Sequence, residues 1–219
     1  DILGWSDAEV AKRIQQDQID ILIDPGVGHT RDNRMLVFAR KPAPVQVTFY
    51  PTTTGLSAMN YRFSDPWLEP EQSDKGSEEL LTLSQSIMCY TPPSNAPAVS
   101  ELPFYQKGYI TFGSFTALFK INEVVLGLWA QILEQVPYAH LIIKAKALGD
   151  QETCLYWLSY LEQWGIPRKQ VQLYPYSSSV ETHLKEYQHM DISLDTFPYN
   201  GHTTTCEALW MGVPVITLK

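Results

Sequence analysis

The stretch Asp191-Ile-Ser-Leu-Asp-Thr-Phe-Pro-Tyr-Asn-Gly-His-Thr-Thr-Thr-Cys-Glu-Ala-Leu-Trp-Met-Gly-Val-Pro-Val-Ile-Thr-Leu218 reads as one βαβ unit. A short apolar strand runs through Asp195, and Pro198, Asn200 and Gly201 break it. A helix is predicted from about His202 to Met211, and a second strand from Val213. Strand and helix are joined by Gly201-His202-Thr203-Thr204-Thr205, which gathers backbone N–H groups and three hydroxyls at a helix start bearing roughly half a positive charge. A diphosphate suits that place, and Glu207, just inside the helix, is positioned for ribose hydroxyls. Threonines at a helix start are also ordinary caps. The position favours the functional reading, because open parallel sheets bind ligands beyond the carboxyl ends of their strands. No G-x-G-x-x-G or P-loop is present.

Outward from this unit, the alternation of strand and helix continues in both directions. Toward the N-terminus, Ser178-Ser-Val-Glu181 opens a helix carrying His183, which either contacts a base or phosphate or simply caps and packs. Val171 to Tyr174 is a predicted strand. Asp150 caps a helix through Trp164, which ends at Gly165 with Pro167 beyond. The aromatic positions of that helix, Tyr156, Trp157, Tyr160 and Trp164, are read as core. His140 to Ala145 is a strand, and Asn122 caps a helix whose apolar positions Val125, Leu128, Trp129, Ile132 and Val136 follow the 3.6-residue period. Tyr109 to Phe112 is the first strand of this half, and Gly113 to Lys120 is its exit loop. Lys120 is placed to neutralise phosphates held at the Thr203-Thr204 turn, unless it is a solvated surface lysine.

From Thr91 to Pro103 four prolines and little periodicity mark a linker. The expected organisation is an N-terminal Rossmann-like half over 1–90, a linker over 91–107, and a second Rossmann-like half over 108–219, with a cleft between the halves. In the first half, Ser6-Asp-Ala-Glu9 is a capping box before a helix to about Gln18. Ile19 to Asp24 is a strand apolar enough to be covered on both faces. Gly26, Gly28, His29 and Thr30 form its exit turn, where His29 either contacts substrate or bonds loop backbone. A helix over Arg34 to Arg40 and a strand over Val45 to Tyr50 complete a second βαβ. The hydroxyl-rich Pro51-Thr-Thr-Thr-Gly55 loop follows, then short strands near Tyr61–Phe63, Leu80–Leu83 and Ile87–Tyr90, with 66–77 read as surface. Strands alternating with helices imply parallel sheets.

Composition narrows the classes. A net charge of −8 over 219 residues, with no Lys/Arg cluster, argues against nucleic acid as partner. Cys89, Cys154 and Cys206 are odd in number and lack C-x-x-C spacing, which predicts reduced thiols in a cytoplasmic protein and no zinc site. No apolar run approaches ~20 residues, so no membrane span is expected. The abrupt start at Ile2-Leu3 and stop after Thr217-Leu218 predict a fragment of a longer chain. No paired carboxylates at a suggestive spacing, G-x-S-x-G, H-E-x-x-H or D-x-D element is seen. A metal-free mechanism follows.

Three segments carry a family resemblance: Leu194 to Leu218, Ala39-Arg-Lys-Pro-Ala-Pro-Val-Gln-Val-Thr48, and Phe112-Gly-Ser-Phe-Thr-Ala-Leu-Phe-Lys-Ile121. They resemble the catalytic region of the bacterial O-GlcNAc transferase and SPINDLY family, over nearly the whole chain from about Ile19. The resemblance implies a GT-B architecture and an inverting, metal-independent protein O-glycosyltransferase. Its donor is UDP-GlcNAc or GDP-fucose and its acceptor is Ser or Thr of a protein. No permanently bound cofactor is implied, and members usually carry tetratricopeptide repeats ahead of this region. It places Lys120 on the diphosphate, His202, Thr203 and Thr204 around the phosphates beside Gly201, and His183 near the nucleotide. Glu207 takes the ribose, where the O-GlcNAc enzymes have aspartate and SPINDLY proteins glutamate, while His202 follows the O-GlcNAc side.

The chain departs from the family at three places. Two residues, Leu-Gly, are missing before Tyr50-Pro51 and a family glycine is Thr52. Ala117 replaces a glutamine. The family's N-terminal catalytic histidine lies upstream of Asp1. An alternative of another class is therefore a truncated, non-catalytic binding module, and a nucleotide-sugar epimerase is a third.

Overall fold

The computed structural model describes residues 1–25, 34–49, 52–68 and 76–218. The chain divides into two compact units, Asp1–Cys89 and Tyr90–Lys219.

The first unit opens with helix α1 (Asp7–Gln16). Ser6 and Glu9 form the predicted capping box, with the Glu9 carboxylate accepting from the Ser6 N–H at 2.7 Å. Strand β1 (Ile21–Asp24), helix α2 (Met35–Ala39) and strands β2 (Val45–Thr48), β3 (Tyr61–Ser64) and β4 (Glu79–Thr82) follow. The four strands form one parallel sheet in the order β1-β2-β3-β4. The expectation that β1 is covered on both faces is corrected: Ile21 and Ile23 are 57% and 51% exposed. β1 is the edge of this sheet, and only its other face is packed, where Asp24 accepts from the Thr48 hydroxyl at 2.7 Å. Ile87 to Tyr90 is not a strand; the Ile87 N–H is bound by the Asp65 carboxylate at 2.7 Å, so it is not available to a ladder.

The second unit contains helix α3 (Phe104–Lys107), strand β5 (Thr111–Ser114), helix α4 (Glu123–Gln135), strand β6 (His140–Lys144), helix α5 (Gln151–Gln163) and strand β7 (Val171–Tyr174). Helix α6 (Val180–Lys185), strand β8 (Ile192–Leu194), helix α7 (Thr203–Trp210) and strand β9 (Val215–Ile216) complete it. Its five strands are parallel in the order β7-β6-β5-β8-β9. Caps predicted from sequence are in place: Asn122 Oδ1 accepts from the Val125 N–H and Asp150 Oδ2 from the Thr153 N–H, at 3.1 and 2.8 Å. The buried face of α4 is Val125, Leu126, Trp129 and Leu133, while Leu128, read as core, is 38% exposed. In α5, Trp157 and Leu161 are buried while Tyr156 is exposed.

β5 begins two residues later than expected and carries Gly113 within it. A Cβ there would stand 2.5 Å from Met190 Cε, so the strand needs glycine for Met190 to fill the space above the sheet. The proline-rich stretch 91–107 lies along the second unit. Gln188 Nε2 donates to the Ala98 carbonyl at 2.9 Å, and Asp191 accepts from the Phe104 and Thr111 N–H groups at 2.8 Å each. No helix among the described residues is long and apolar enough to cross a membrane.

Candidate nucleotide site

β5, β6, β7 and β8 end on the same edge of the second sheet, and every candidate residue of this unit is found at or just beyond that edge. The turn from Asp195 to His202 is organised by one carboxylate. Asp195 accepts from the Gly201 N–H at 2.6 Å, the Thr196 N–H at 2.8 Å, the Asn200 side-chain amide at 3.1 Å and the Thr217 hydroxyl at 2.8 Å. Gly201 is required by crowding: a Cβ would lie 2.6 Å from Thr205 Oγ1, 3.0 Å from Thr204 Oγ1 and 3.1 Å from Asp195 Oδ1. The turn is also held from α4, since the Asn122 side chain that caps that helix donates to the Phe197 carbonyl at 2.6 Å.

Helix α7 starts at Thr203 with His202 as N-cap, and no side chain caps it. The threonines therefore do not serve as caps. N–H groups of a first helical turn have no intrahelical acceptor, and here His202 and Thr203 are exposed to solvent. Lys120 closes the other side. It ends a short 3-10 turn after β5, its ammonium donates to the Asn200 carbonyl at 2.9 Å, and it lies 3.9 Å from the centre of the Tyr199 ring. Burial pushes the Lys120 ammonium down from its usual range, opposed by the Asp195 charge. Burial and the Lys120 charge push His202 down as well. Lys120, Gly201, His202, Thr203 and Thr204 are thus brought to one turn, with His202 and Thr203 exposed to solvent.

The remaining enclosed space is small. Phe115, Thr116, Tyr187, Asp195, Thr204 and Thr205 are among the residues around a cavity of about 10 Å³, room for about one water. An anion at this place therefore sits on the open face of the turn.

His183 and Glu207 are also joined, but to each other. His183 Nε2 lies 3.0 Å from Glu207 Oε2, and the Tyr187 hydroxyl donates to the same oxygen at 3.2 Å. Burial, followed by the Glu207 charge, pushes the Tyr187 phenol far up, so it stays a donor. The other side of the His183 ring meets Lys144, the last residue of β6, at 2.7 Å from Nδ1. Lys144 is buried and is held by Glu186 and Ser177. Sequence reading missed Lys144, Glu186 and Tyr187. The available signal was a charged residue closing the apolar run His140-Leu-Ile-Ile-Lys144 at the carboxyl end of a parallel strand.

His29 and the Tyr50-Pro51 step lie outside the described residues. In the first unit, the hydroxyl-rich loop spends its hydroxyls on structure: Thr53 donates to Glu78 at 2.7 Å, as does the Thr54 N–H at 2.8 Å.

The chain is similar to known proteins. Residues 5–89 and 100–219 match the profile of Glycosyl transferase family 41. A protein of Petunia hybrida named probable UDP-N-acetylglucosamine–peptide N-acetylglucosaminyltransferase SPINDLY is 45% identical over 221 residues, covering 100% of this chain and 24% of its own length. One of Arabidopsis thaliana with the same enzyme name, SEC, is 31% identical over 231 residues, covering 100% of this chain and 23% of its own. A mutant of the O-GlcNAc transferase of Thermobaculum terrenum superposes with a TM-score of 0.88 at 39% identity, over 99% of this chain and 41% of that one. The chain spans about a quarter of the length of the curated relatives it matches.

Proposed function

The chain belongs to glycosyl transferase family 41 and its two Rossmann-like halves are those of the GT-B fold; from that premise we propose that it is part of an enzyme transferring N-acetylglucosamine from UDP-GlcNAc to Ser or Thr of proteins. The observation that carries this reading is the uncapped, exposed start of α7 with Lys120 fixed beside it. In the transfer, the acceptor hydroxyl attacks the anomeric carbon from the face opposite the nucleotide, inverting it and releasing its proton to water. The bond to the diphosphate breaks, and negative charge grows on the departing phosphate. The Lys120 ammonium and the N–H groups at His202, Thr203 and Thr204 meet that charge, an electrostatic task that needs a fixed cation and no metal. Glu207 Oε2 is occupied by His183 and Tyr187, which leaves Oε1 to accept from a ribose hydroxyl.

A second donor is favoured by Glu207 itself, the residue by which the chain resembles SPINDLY proteins: GDP-fucose, for protein O-fucosylation. Calorimetry with UDP and GDP tests both. Binding of one of them, weakened about tenfold or more in Lys120→Ala, is expected. A folded sample that binds neither overturns the reading. Radiolabelled UDP-GlcNAc and GDP-fucose, supplied side by side to the full-length parent with a protein acceptor, then separate the two sugars. Nucleotide binding without transfer of either sugar identifies a non-catalytic module.

A further inference from the structure

The buried cluster behind Glu207 has no part in holding phosphate, yet it brings together charged groups from β6, α6 and the residues following α6. Lys144 is 4% exposed at the end of a strand whose Leu141, Ile142 and Ile143 are fully buried. A lysine so enclosed is costly unless paired. Its ammonium is paired with Glu186, bonded to Ser177, and directed at His183 Nδ1 at 2.7 Å, with the Phe115 ring 5.2 Å away.

The consequence is a fixed direction for the imidazole. An ammonium has hydrogens to give and no lone pair to accept with, so Nδ1 must be the acceptor. The ring hydrogen is then on Nε2, where Glu207 Oε2 accepts it at 3.0 Å. The Tyr187 hydroxyl lies 3.2 Å from the same oxygen and 3.2 Å from the Thr204 carbonyl, sharing its one hydrogen between them, so both contacts of the carboxylate fall on Oε2 and Oε1 is left over.

We propose that Lys144 is a positioning residue: through His183 it sets which oxygen of Glu207 is presented to the ribose of the bound nucleotide. This rests on the nucleotide reading above and adds a specificity device to it, a relay running Glu186, Lys144, His183, Glu207. Lys144 touches no substrate. Its removal frees the ring to turn over or exchange its hydrogen to Nδ1, and Glu207 then loses its fixed donor.

The chain has five histidines, so the ring nitrogens of His183 can be assigned in an NMR spectrum by their loss in His183→Gln. The unaltered chain is expected to show the Nε2–H form. Finding hydrogen on Nδ1 there overturns the proposal with no variant needed. Binding is then measured for UDP and GDP against their 2′,3′-dideoxy analogues. In Lys144→Met the preference for the intact ribose is expected to fall on the order of tenfold, while affinity for the dideoxy analogue is kept. The paired Lys144→Met/Glu186→Gln variant removes the stranded carboxylate if the single change does not fold, and is expected to show the same loss. An unchanged ribose preference in either folded variant overturns the relay alone. Absence of UDP and GDP binding to the unaltered chain overturns the nucleotide reading and the relay together.

Discussion

At the scale of single residues, the turn before α7 depends on Asp195 more than on any of the groups it presents. Four donors from Thr196, Asn200, Gly201 and Thr217 converge on this one carboxylate. Replacing it leaves donors unpaired, each costing about 1–3 kcal/mol where water cannot reach it. Asp195→Ala is therefore expected to lower unfolding free energy by roughly 2–4 kcal/mol in urea titration and to abolish detectable UDP or GDP binding. Retention of wild-type nucleotide affinity would show that the turn keeps its shape without the carboxylate. Gly201 was legible in sequence as a turn residue, but its reason was not. What forbids a side chain is the approach of the Thr204 and Thr205 hydroxyls and Asp195, all set by the way the helix leaves the turn.

At the scale of elements, two connections join secondary structure to the site. Asn122 both caps α4 and donates to the Phe197 carbonyl. Asn122→Ala is expected to cost about 1–2 kcal/mol from the cap, with a further loss of nucleotide affinity from the loosened turn; Asn122→Ser, which can still cap, is expected to recover stability without recovering affinity. Unreduced nucleotide affinity in either variant would show that the Phe197 contact is idle. Within β5, Gly113 faces Met190 with a Cβ-to-Cε approach of 2.5 Å. Gly113→Ala is expected to destabilise by about 1–3 kcal/mol through overpacking, and Gly113→Ala/Met190→Ala to lose less than the sum of the two single changes, part of the Gly113→Ala cost being recovered in the cycle. No recovery in the double variant would mean that the strand, and not the side-chain collision, sets the cost. The capping boxes and Asx caps of α1, α4 and α5 could be read directly because each is closed within three residues. The edge position of β1 could not, because an apolar run looks the same whether one face or two are covered.

At the scale of the whole molecule, titration points in one direction. His140, His189 and His202 are each pushed below the usual histidine value of 6.5, by burial first and then by a neighbouring lysine. A depressed histidine binds its proton more readily when unfolded, so its contribution is intact above that value and is lost as pH falls below it. Carboxylates act at lower pH, Asp65 and Glu78 among them. Burial pushes Asp65 and Glu78 up, but donors outweigh it, from Ile87, Leu68, Trp67 and Ser86 on Asp65 and from Thr54 and Thr53 on Glu78, and both end below their ordinary values of 3.8 and 4.5. Their stabilisation is present above those values and lost as pH falls through the folded ones. Urea midpoints are therefore expected to decline from about pH 6.5 downward and again below about pH 4.5. Replacing His140, His189 and His202 together by Gln is expected to flatten the first decline and leave the second. A midpoint rising as pH falls from 7 to 5 would contradict the sign.

The sequence by itself determined the α/β alternation, the parallel sheets and the caps, and it singled out Lys120 and Gly201–Thr204, which the fold brings to one turn, because periodicity, turn chemistry and motif are written in neighbouring residues. Tertiary structure alone decided that α7 is uncapped and open, that β1 is an exposed edge, and that Lys144, Glu186 and Tyr187 stand behind His183 and Glu207. Those partners come from separate elements whose proximity is created by the strand order β7-β6-β5-β8-β9. Strand order in a parallel sheet is settled by how helices pack across it, and no local stretch of chain encodes which strand ends will share an edge.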